Sequence, residues 1–175
     1  MKRLITISIV IGIFYIYVKW KPSIASILDD TQFGDPIQYK GQVYESEWED
    51  YPEEITGYVR RVDRHFDKYI PIITYDLVLT SGEYNDPEIV KVLHKGSGNY
   101  RWSSKTRPKG SILFYHTIPN SVRAQWKLDS IVAGETITIT AKVSMNSEIK
   151  RDGSVVVGLG HGNHKFILVE NVRKL

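Results

Sequence analysis

An unbroken alternation of polar and apolar residues at positions 136–143 (TITITAKV) is the feature that most constrains the fold. Successive side chains of a β-strand point to opposite faces, so a period of two predicts a strand with one buried face. The β-branched threonines suit the opposite, solvated face. We therefore expect the apolar members of the segment to lie in the core: Ile137, Ile139, Ala141 and Val143.

The period of two recurs along most of the chain after Pro36, which predicts a mainly β domain. Clusters of Gly, Pro, Asn and Asp separate the other predicted strands. These strands span residues 37–45, 55–62, 69–80, 89–94, 111–116, 154–159 and 165–172. The segment 96–110, which is rich in Gly and Ser, is expected to be a long loop.

One stretch, residues 119–132, favours a helix instead. Asn120 or Ser121 can cap its N-terminus, and Gly134 stands where a left-handed C-terminal stop is expected. An approximate apolar stripe supports the helix. The stripe consists of Val122, Trp126 and Leu128 with Ile131 or Val132.

The order of strands, one helix and closing strands predicts the fold class. An OB-like barrel closes five strands and has a helix between the third and the fourth. We therefore expect a mainly β protein, a small OB-like barrel with one helix between strands. The alternative is an open β-sandwich with one helix. Eight candidate strands exceed five, so either some strands are split or an extra hairpin is inserted.

The N-terminus carries an apolar segment of fifteen uncharged residues, 4–18, between two pairs of bases. As a helix it spans about 22 Å, and its aromatic and basic flanks extend it toward the roughly 30 Å of a hydrocarbon core. We expect an N-terminal transmembrane anchor at 1–21, a linker at 22–35 and the β-barrel domain at 36–175. A cleaved signal peptide and a buried core helix are the alternatives. The expected location is the cell membrane, single-pass, with a periplasmic or otherwise extracytoplasmic C-terminal domain.

This layout resembles the haem chaperones of cytochrome c maturation, which are membrane-anchored OB-fold proteins. The likeness covers the C-terminal part of the chain: a strand, a proline-led helix, Gly134 before the strand at 136–143, and a final hairpin around Gly162-Asn163-His164. That family holds haem with a His-x-x-x-Tyr motif just after the last strand. No histidine of this chain has a tyrosine four residues later, so the resemblance implies a fold and carries no haem site.

Residues for catalysis are sparse. The chain has no cysteine, which excludes disulfides, thiolate metal sites and cysteine nucleophiles. It contains no G-x-S-x-G elbow, Walker A loop or H-E-x-x-H motif, so we expect no enzyme activity and no cofactor. The alternative is a metal- or cofactor-binding envelope enzyme or carrier that uses His161 and His164, a His-x-x-His pair in a glycine-rich turn. A polar hairpin tip explains the same residues, which makes this metal site the weaker hypothesis.

The clearest functional signal is a segregation of charge in a chain whose formal net charge is +3. Positions 29–54 hold nine acids and one base, whereas positions 89–128 hold eight bases and no acid. Aromatic residues lie among the bases, as they do on surfaces that bind anionic partners. The expected contact residues lie in the 96–110 segment: Tyr100, Arg101, Trp102, Lys105, Arg107 and Lys109. Pairing of the acidic and basic stretches inside the fold is the alternative.

Together these features predict a membrane-tethered, non-enzymatic binding or assembly module of the cell envelope. Its basic aromatic loop would contact an acidic protein partner or an anionic lipid or glycan surface. Nucleic acid is disfavoured as a partner, because a domain anchored outside the cytoplasm meets little of it.

Overall fold

The computed structural model of the protein describes residues 30–65, 67, 69–96, 98–160 and 162–175. The chain divides into two compact units, Met1–Thr31 and Gln32–Leu175, and the second contains nearly all of the described residues. The predicted anchor lies outside the described residues, as does most of the predicted linker. Within the described part, no helix has the length and apolar character needed to cross a membrane.

The described chain is mainly β with one α-helix, which confirms the predicted class. Its strands are β1 (Thr31–Gln32), β2 (Ile37–Tyr39), β3 (Gln42–Glu45), β4 (Glu53–Arg64), β5 (Tyr75–Gly82), β6 (Val90–His94), β7 (Tyr100–Ser104), β8 (Gly110–Pro119), β9 (Thr136–Val143), β10 (Glu148–Arg151), β11 (Ser154–Gly158) and β12 (His164–Lys174). The α-helix is α1 (Val122–Asp129), and a short 3-10 helix spans Glu83–Asn85.

Five long strands close on themselves into a ring in the order β12-β8-β5-β4-β9. Neighbouring strands are antiparallel except β8 and β12, which run parallel. Along the chain, α1 lies between β8 and β9, the position predicted for the helix. The main hydrophobic core is formed by these strands and α1, and it includes Val59, Leu77, Ile137, Ile139 and Ile167.

Strand β9 has the bounds that the alternation predicts, and its four apolar residues are buried as expected. Thr136 is exposed, which fits the predicted solvated face. Thr138 is buried instead, and its hydroxyl is hydrogen-bonded to the hydroxyl of Thr56 on β4 at 2.9 Å. The burial is tolerated because the polar atom has a partner.

The helix is shorter than predicted and buries only part of the predicted stripe. Ser121 caps it by accepting a hydrogen bond from the backbone N–H of Ala124 at 3.1 Å. Ala124 and Leu128, one helical turn apart, are buried, whereas Trp126 is 64% exposed and Val122 is also exposed. Of the expected stripe, Leu128 and Ile131 are buried as predicted, whereas the placement of Val122 and Trp126 is wrong, because the i, i+4 pair that packs on the ring is Ala124 and Leu128.

A second sheet has the order β1-β2-β3-β10-β11 and a hydrophobic core of its own. The segment predicted as one strand at 37–45 is a hairpin, because Lys40 and Gly41 adopt φ angles of 49° and 76° and reverse the chain. Two hairpins are inserted between ring strands, β6–β7 between β5 and β8, and β10–β11 between β9 and β12. These two insertions and strands β1–β3, which precede the ring in the chain, account for the excess of strands over five.

Candidate functional site

The segment expected to be a long loop contains strand β7, which pairs with β6 in a separate two-stranded sheet. In that ladder Leu93 lies opposite Arg101, and Val92 lies opposite Trp102. Neighbouring residues of a strand face opposite ways, so the hairpin has two faces. The outer face consists of four exposed residues, Lys91, Leu93, Arg101 and Ser103. The inner face carries Val90, Val92, His94, Tyr100 and Trp102.

Tyr100 holds the inner face of the hairpin against the ring. Its side chain is 9% exposed, and its ring stacks on those of His94 and Phe114 at centroid distances of 4.8 and 5.5 Å. Its hydroxyl donates a hydrogen bond to Asp63 Oδ2 at 3.0 Å. Burial, with the charges of Asp76 and Asp63, raises the pKa of Tyr100, so the hydroxyl stays a donor. The prediction that Tyr100 contacts a partner is wrong, because its side chain is buried between the hairpin and the ring.

Asp63, near the end of β4, is the acceptor that holds the hairpin. Arg61 donates two hydrogen bonds to its carboxylate at 2.9 and 2.7 Å, and His94 Nδ1 lies 3.6 Å from its Oδ1. Burial acts to raise the pKa of Asp63, but the hydrogen bonds from Arg61 and Tyr100 outweigh it and hold that pKa below its ordinary value. The hairpin is thus attached to β4 by a charged acceptor.

The other expected contact residues lie at the surface. Trp102 is 42% exposed, and its ring packs edge to face on Tyr84 at 5.4 Å. The four bases are exposed: Arg101, Lys105, Arg107 and Lys109. In the described part of the chain none of them forms an ion pair, and no ion pair joins an acid of residues 35–54 to a base of residues 91–127. Internal pairing of the two stretches is therefore not observed among those residues.

The turn of the hairpin borders an open cavity of about 400 Å³. The turn is closed by a hydrogen bond from the backbone N–H of Lys95 to the carbonyl of Asn99 at 2.7 Å. The cavity is lined by Lys95, Asn99, Tyr100 and Arg101. Two cationic side chains at one opening suit an anionic group such as a carboxylate.

Near the same turn lies a buried cluster that the sequence pattern does not reveal. Asp76 of β5 is 1% exposed and accepts hydrogen bonds from His116 Nδ1 at 2.6 Å and from His65 Nδ1 at 2.8 Å. Asp76 and His116 are direct partners in the ladder between β5 and β8, and His65 directly follows β4. Three neighbouring ring strands therefore bring these side chains together.

His164 joins this cluster from β12. Its Nδ1 lies 3.5 Å from His116 Nε2, and its ring stacks on Phe114 at 4.5 Å. Burial, and then the neighbouring His116, lower the pKa of His164. Of the two histidines in the weaker metal hypothesis, His164 thus lies beside His116, whereas His161 is outside the described residues.

Asp76 is charged although it is buried. Burial acts to raise the pKa of Asp76, but the hydrogen bonds from His116 and His65 outweigh it, so the pKa lies below its ordinary value. The sequence gives a signal for Asp76 alone, because it precedes the apolar run Leu77–Leu79 and buried carboxylates are rare without a partner. Its partners are 11 and 40 residues away in sequence, so no local pattern identifies them.

No protein-family model, curated protein or solved structure matches the chain. The resemblance to haem chaperones therefore stays a prediction about layout.

Proposed function

We propose that this protein is a membrane-tethered, non-enzymatic binding module of the cell envelope that contacts an acidic protein partner through the β6–β7 hairpin and the segment leading to β8. One observation carries the proposal: the exposed bases Arg101, Lys105, Arg107 and Lys109 form no ion pair among the described residues. Such a surface attracts an acidic partner and orients it.

The topology of the ring supports an OB-type barrel as the scaffold. Numbered along the chain, the ring strands β4, β5, β8, β9 and β12 lie in the order 1-2-3-5-4, and the last pairs with the first. The helix lies between the third and fourth strands, and the third and fifth run parallel. OB-type barrels bind ligands with a strand face and the loops around it. The hairpin is an insertion between the second and third strands.

Exposed apolar side chains among the bases favour a protein partner over a purely electrostatic contact. Leu93 is 54% exposed, and it lies opposite Arg101 on the outer face. Trp102 is half-exposed at the side of the same strand. Trp and Arg are the residue types that most often dominate the energetics of protein interfaces. The cavity at the turn adds a place for one carboxylate of the partner. The apolar segment at 4–18 supports the membrane tether.

The proposal is tested by binding of a fluorescent polyglutamate peptide to the full chain in a neutral detergent, measured by fluorescence anisotropy. The test variant is R101A/R107A/K109A. The matched control is R123A/K127A/R173A, which removes three exposed bases from α1 and β12. Three exposed ion pairs at about 0.5 kcal/mol each predict that Kd rises about tenfold for the test variant.

The control variant is expected to bind within about twofold of the wild type. Equal weakening by both variants would show a response to net charge alone and would overturn the proposal. A different result would assign the surface to lipid: micelles that contain phosphatidylglycerol displace the peptide, and R101A/R107A/K109A loses affinity for those micelles.

A further inference from the structure

We propose that His65, Asp76 and His116 form a buried site for one divalent transition-metal ion, with Zn²⁺ as the representative ion. The proposal does not rest on the partner-binding surface, because its three ligands come from ring strands β5 and β8 and from the residue that follows β4. One ligand atom from each residue lies within 4.8 Å of the other two. Two imidazole nitrogens and one carboxylate form a donor set typical of transition metals, whereas Mg²⁺ and Ca²⁺ prefer oxygen alone.

Backbone hydrogen bonds between neighbouring strands position the three ligands. Asp76 and His116 face each other directly in the ladder between β5 and β8. The backbone N–H of His65 donates to the carbonyl of Thr74 at 3.0 Å, which holds the end of β4 beside the start of β5. Sites on adjacent strands keep their ligands in place better than sites on loops.

The ligand atoms are close to the separation that a metal ion requires. Asp76 Oδ1 lies 2.6 Å from His116 Nδ1, and Asp76 Oδ2 lies 2.8 Å from His65 Nδ1. With metal–ligand distances of about 2.0–2.1 Å, ligand atoms around a tetrahedral ion are about 3.4 Å apart. Each hydrogen-bonded nitrogen and oxygen would therefore separate by about 0.6–0.8 Å to admit the ion. Each Nδ1 gives up its hydrogen bond to Asp76, and its proton moves to Nε2 of the same ring.

Gly98 lets the hairpin turn pack closely on these ligand atoms. It is buried in the turn at φ +71°, and a Cβ at this position would lie 2.7 Å from His116 Cε1, 3.1 Å from His116 Nδ1 and 3.3 Å from Asp76 Oδ1. Any other residue would therefore press on the two side chains that carry proposed ligand atoms.

The burial of the Asp76 carboxyl group favours a cation beside it. Its side chain is almost fully buried, and in the described residues its hydrogen-bond partners are the imidazoles of His65 and His116, with no Lys or Arg paired to it. A buried carboxylate is costly unless a positive charge compensates it. A metal ion held by the same three side chains supplies that charge.

His164 supports one of the two histidine ligands. A metal-bound imidazole usually donates its second N–H to a neighbouring acceptor, which fixes the orientation of the ring. His116 Nε2 faces His164 Nδ1 at 3.5 Å, and the two rings stack at 5.7 Å. His164 is therefore placed as the outer partner of the His116 ligand, and the metal itself contacts His65, Asp76 and His116.

The test is zinc binding by the full chain, purified in detergent without a polyhistidine tag and stripped with a chelator. Elemental analysis after dialysis against Zn²⁺ is expected to give one zinc per chain, and competition with a chromophoric chelator gives the affinity. D76N and H116Q are expected to weaken binding by more than about 100-fold, and H164A by about 10–100-fold. The matched control is H94Q, which alters a histidine that lies next to a carboxylate but outside the site.

G98A keeps all three ligands, but its Cβ would displace His116 and crowd Asp76, so it is expected to weaken zinc binding at least about tenfold. Near-UV circular dichroism reports whether each variant folds. If a variant does not fold, the identity of the ligands is tested instead by the visible spectrum of the wild type loaded with Co²⁺. The proposal requires that this spectrum show imidazole and carboxylate coordination. Any one of three results would overturn the proposal. The wild type retains no zinc, both D76N and H116Q retain it, or H94Q loses as much zinc affinity as they do.

Discussion

Replacing Tyr100 with phenylalanine tests how the hairpin is held on the ring. The substitution keeps the stacked ring and removes only the hydroxyl that donates to Asp63 at 3.0 Å. Hydrogen bonds to charged groups contribute about 1.5–3 kcal/mol. The Asp63 side chain is 19% exposed and keeps two hydrogen bonds from Arg61, so water and the guanidinium offset part of the loss. We expect Y100F to lower the free energy of unfolding by about 1–2 kcal/mol.

Thermal unfolding of the full chain measures this change, and the midpoint Tm is expected to fall by about 3–6 °C. Amide hydrogen exchange in β6 and β7 is expected to accelerate, because the hairpin loses its polar attachment to β4. A double-mutant cycle of Y100F with D63N isolates the pair. A Y100F protein within about 0.3 kcal/mol of wild type, or additive effects of the two substitutions, would refute the assigned role of the hydroxyl.

The contribution of Asp63 depends on pH with a defined sign. Its pKa in the folded state lies below the ordinary value of 3.8. Stability from the charged acceptor is therefore fully present above pH 3.8 and is lost as the pH falls through the folded pKa. The stability difference between wild type and Y100F is expected to shrink on acidification. A difference that grows below pH 3.8 would contradict this assignment.

Three further predictions concern β5 and α1. The Tyr75 hydroxyl donates a hydrogen bond to Asp129 at 2.8 Å, and burial, followed by that hydrogen bond and the charge of Asp129, raises the pKa of Tyr75 to about 12. The stability that this raised pKa contributes is fully present below pH 10 and is lost as the pH rises toward 12. Ultraviolet titration of the wild type against Y75F measures this pKa. S121A removes the helix cap, so thermal unfolding should show a loss of about 1 kcal/mol. By the same assay L128A should cost about 3–4 kcal/mol and W126A less than about 0.5 kcal/mol, and equal losses would contradict the observed helix face.

Elements whose pattern is local were predictable from the sequence. The bounds of β9 follow from the alternation, because a strand with one buried face has an apolar residue at every second position. The buried face of α1 was not predictable in the same way, since Ala124 gives a weak apolar signal and Trp126 a strong one. Strand β7 has three consecutive exposed residues, 101–103, beside Gly and Ser, so its composition resembles that of a loop.

The buried cluster depends on strand register, which the sequence does not express locally. Asp76 meets His116 only because β5 and β8 pair with these two residues opposite each other. A shift of one residue would turn one of the two side chains to the opposite face of the sheet. His65 reaches the same carboxylate because β4 pairs with β5 on the other side. The histidine pair of the glycine-rich turn was visible in the sequence, but the partner of His164 is His116 from a parallel neighbour.

The hairpin turn connects the two proposed sites. Lys95 and Arg101 line the cavity at this turn, while Gly98 within it packs against His116 and Asp76. A ligand that repositions the turn therefore alters the surroundings of both sites. Linkage makes any such coupling reciprocal: if Zn²⁺ strengthens polyglutamate binding about tenfold, polyglutamate must strengthen Zn²⁺ binding by the same factor. The alternative result is that R101A loses peptide affinity while the peptide and zinc affinities of the wild type are independent of each other. That result would show that the turn covers the buried site without transmitting any change to it.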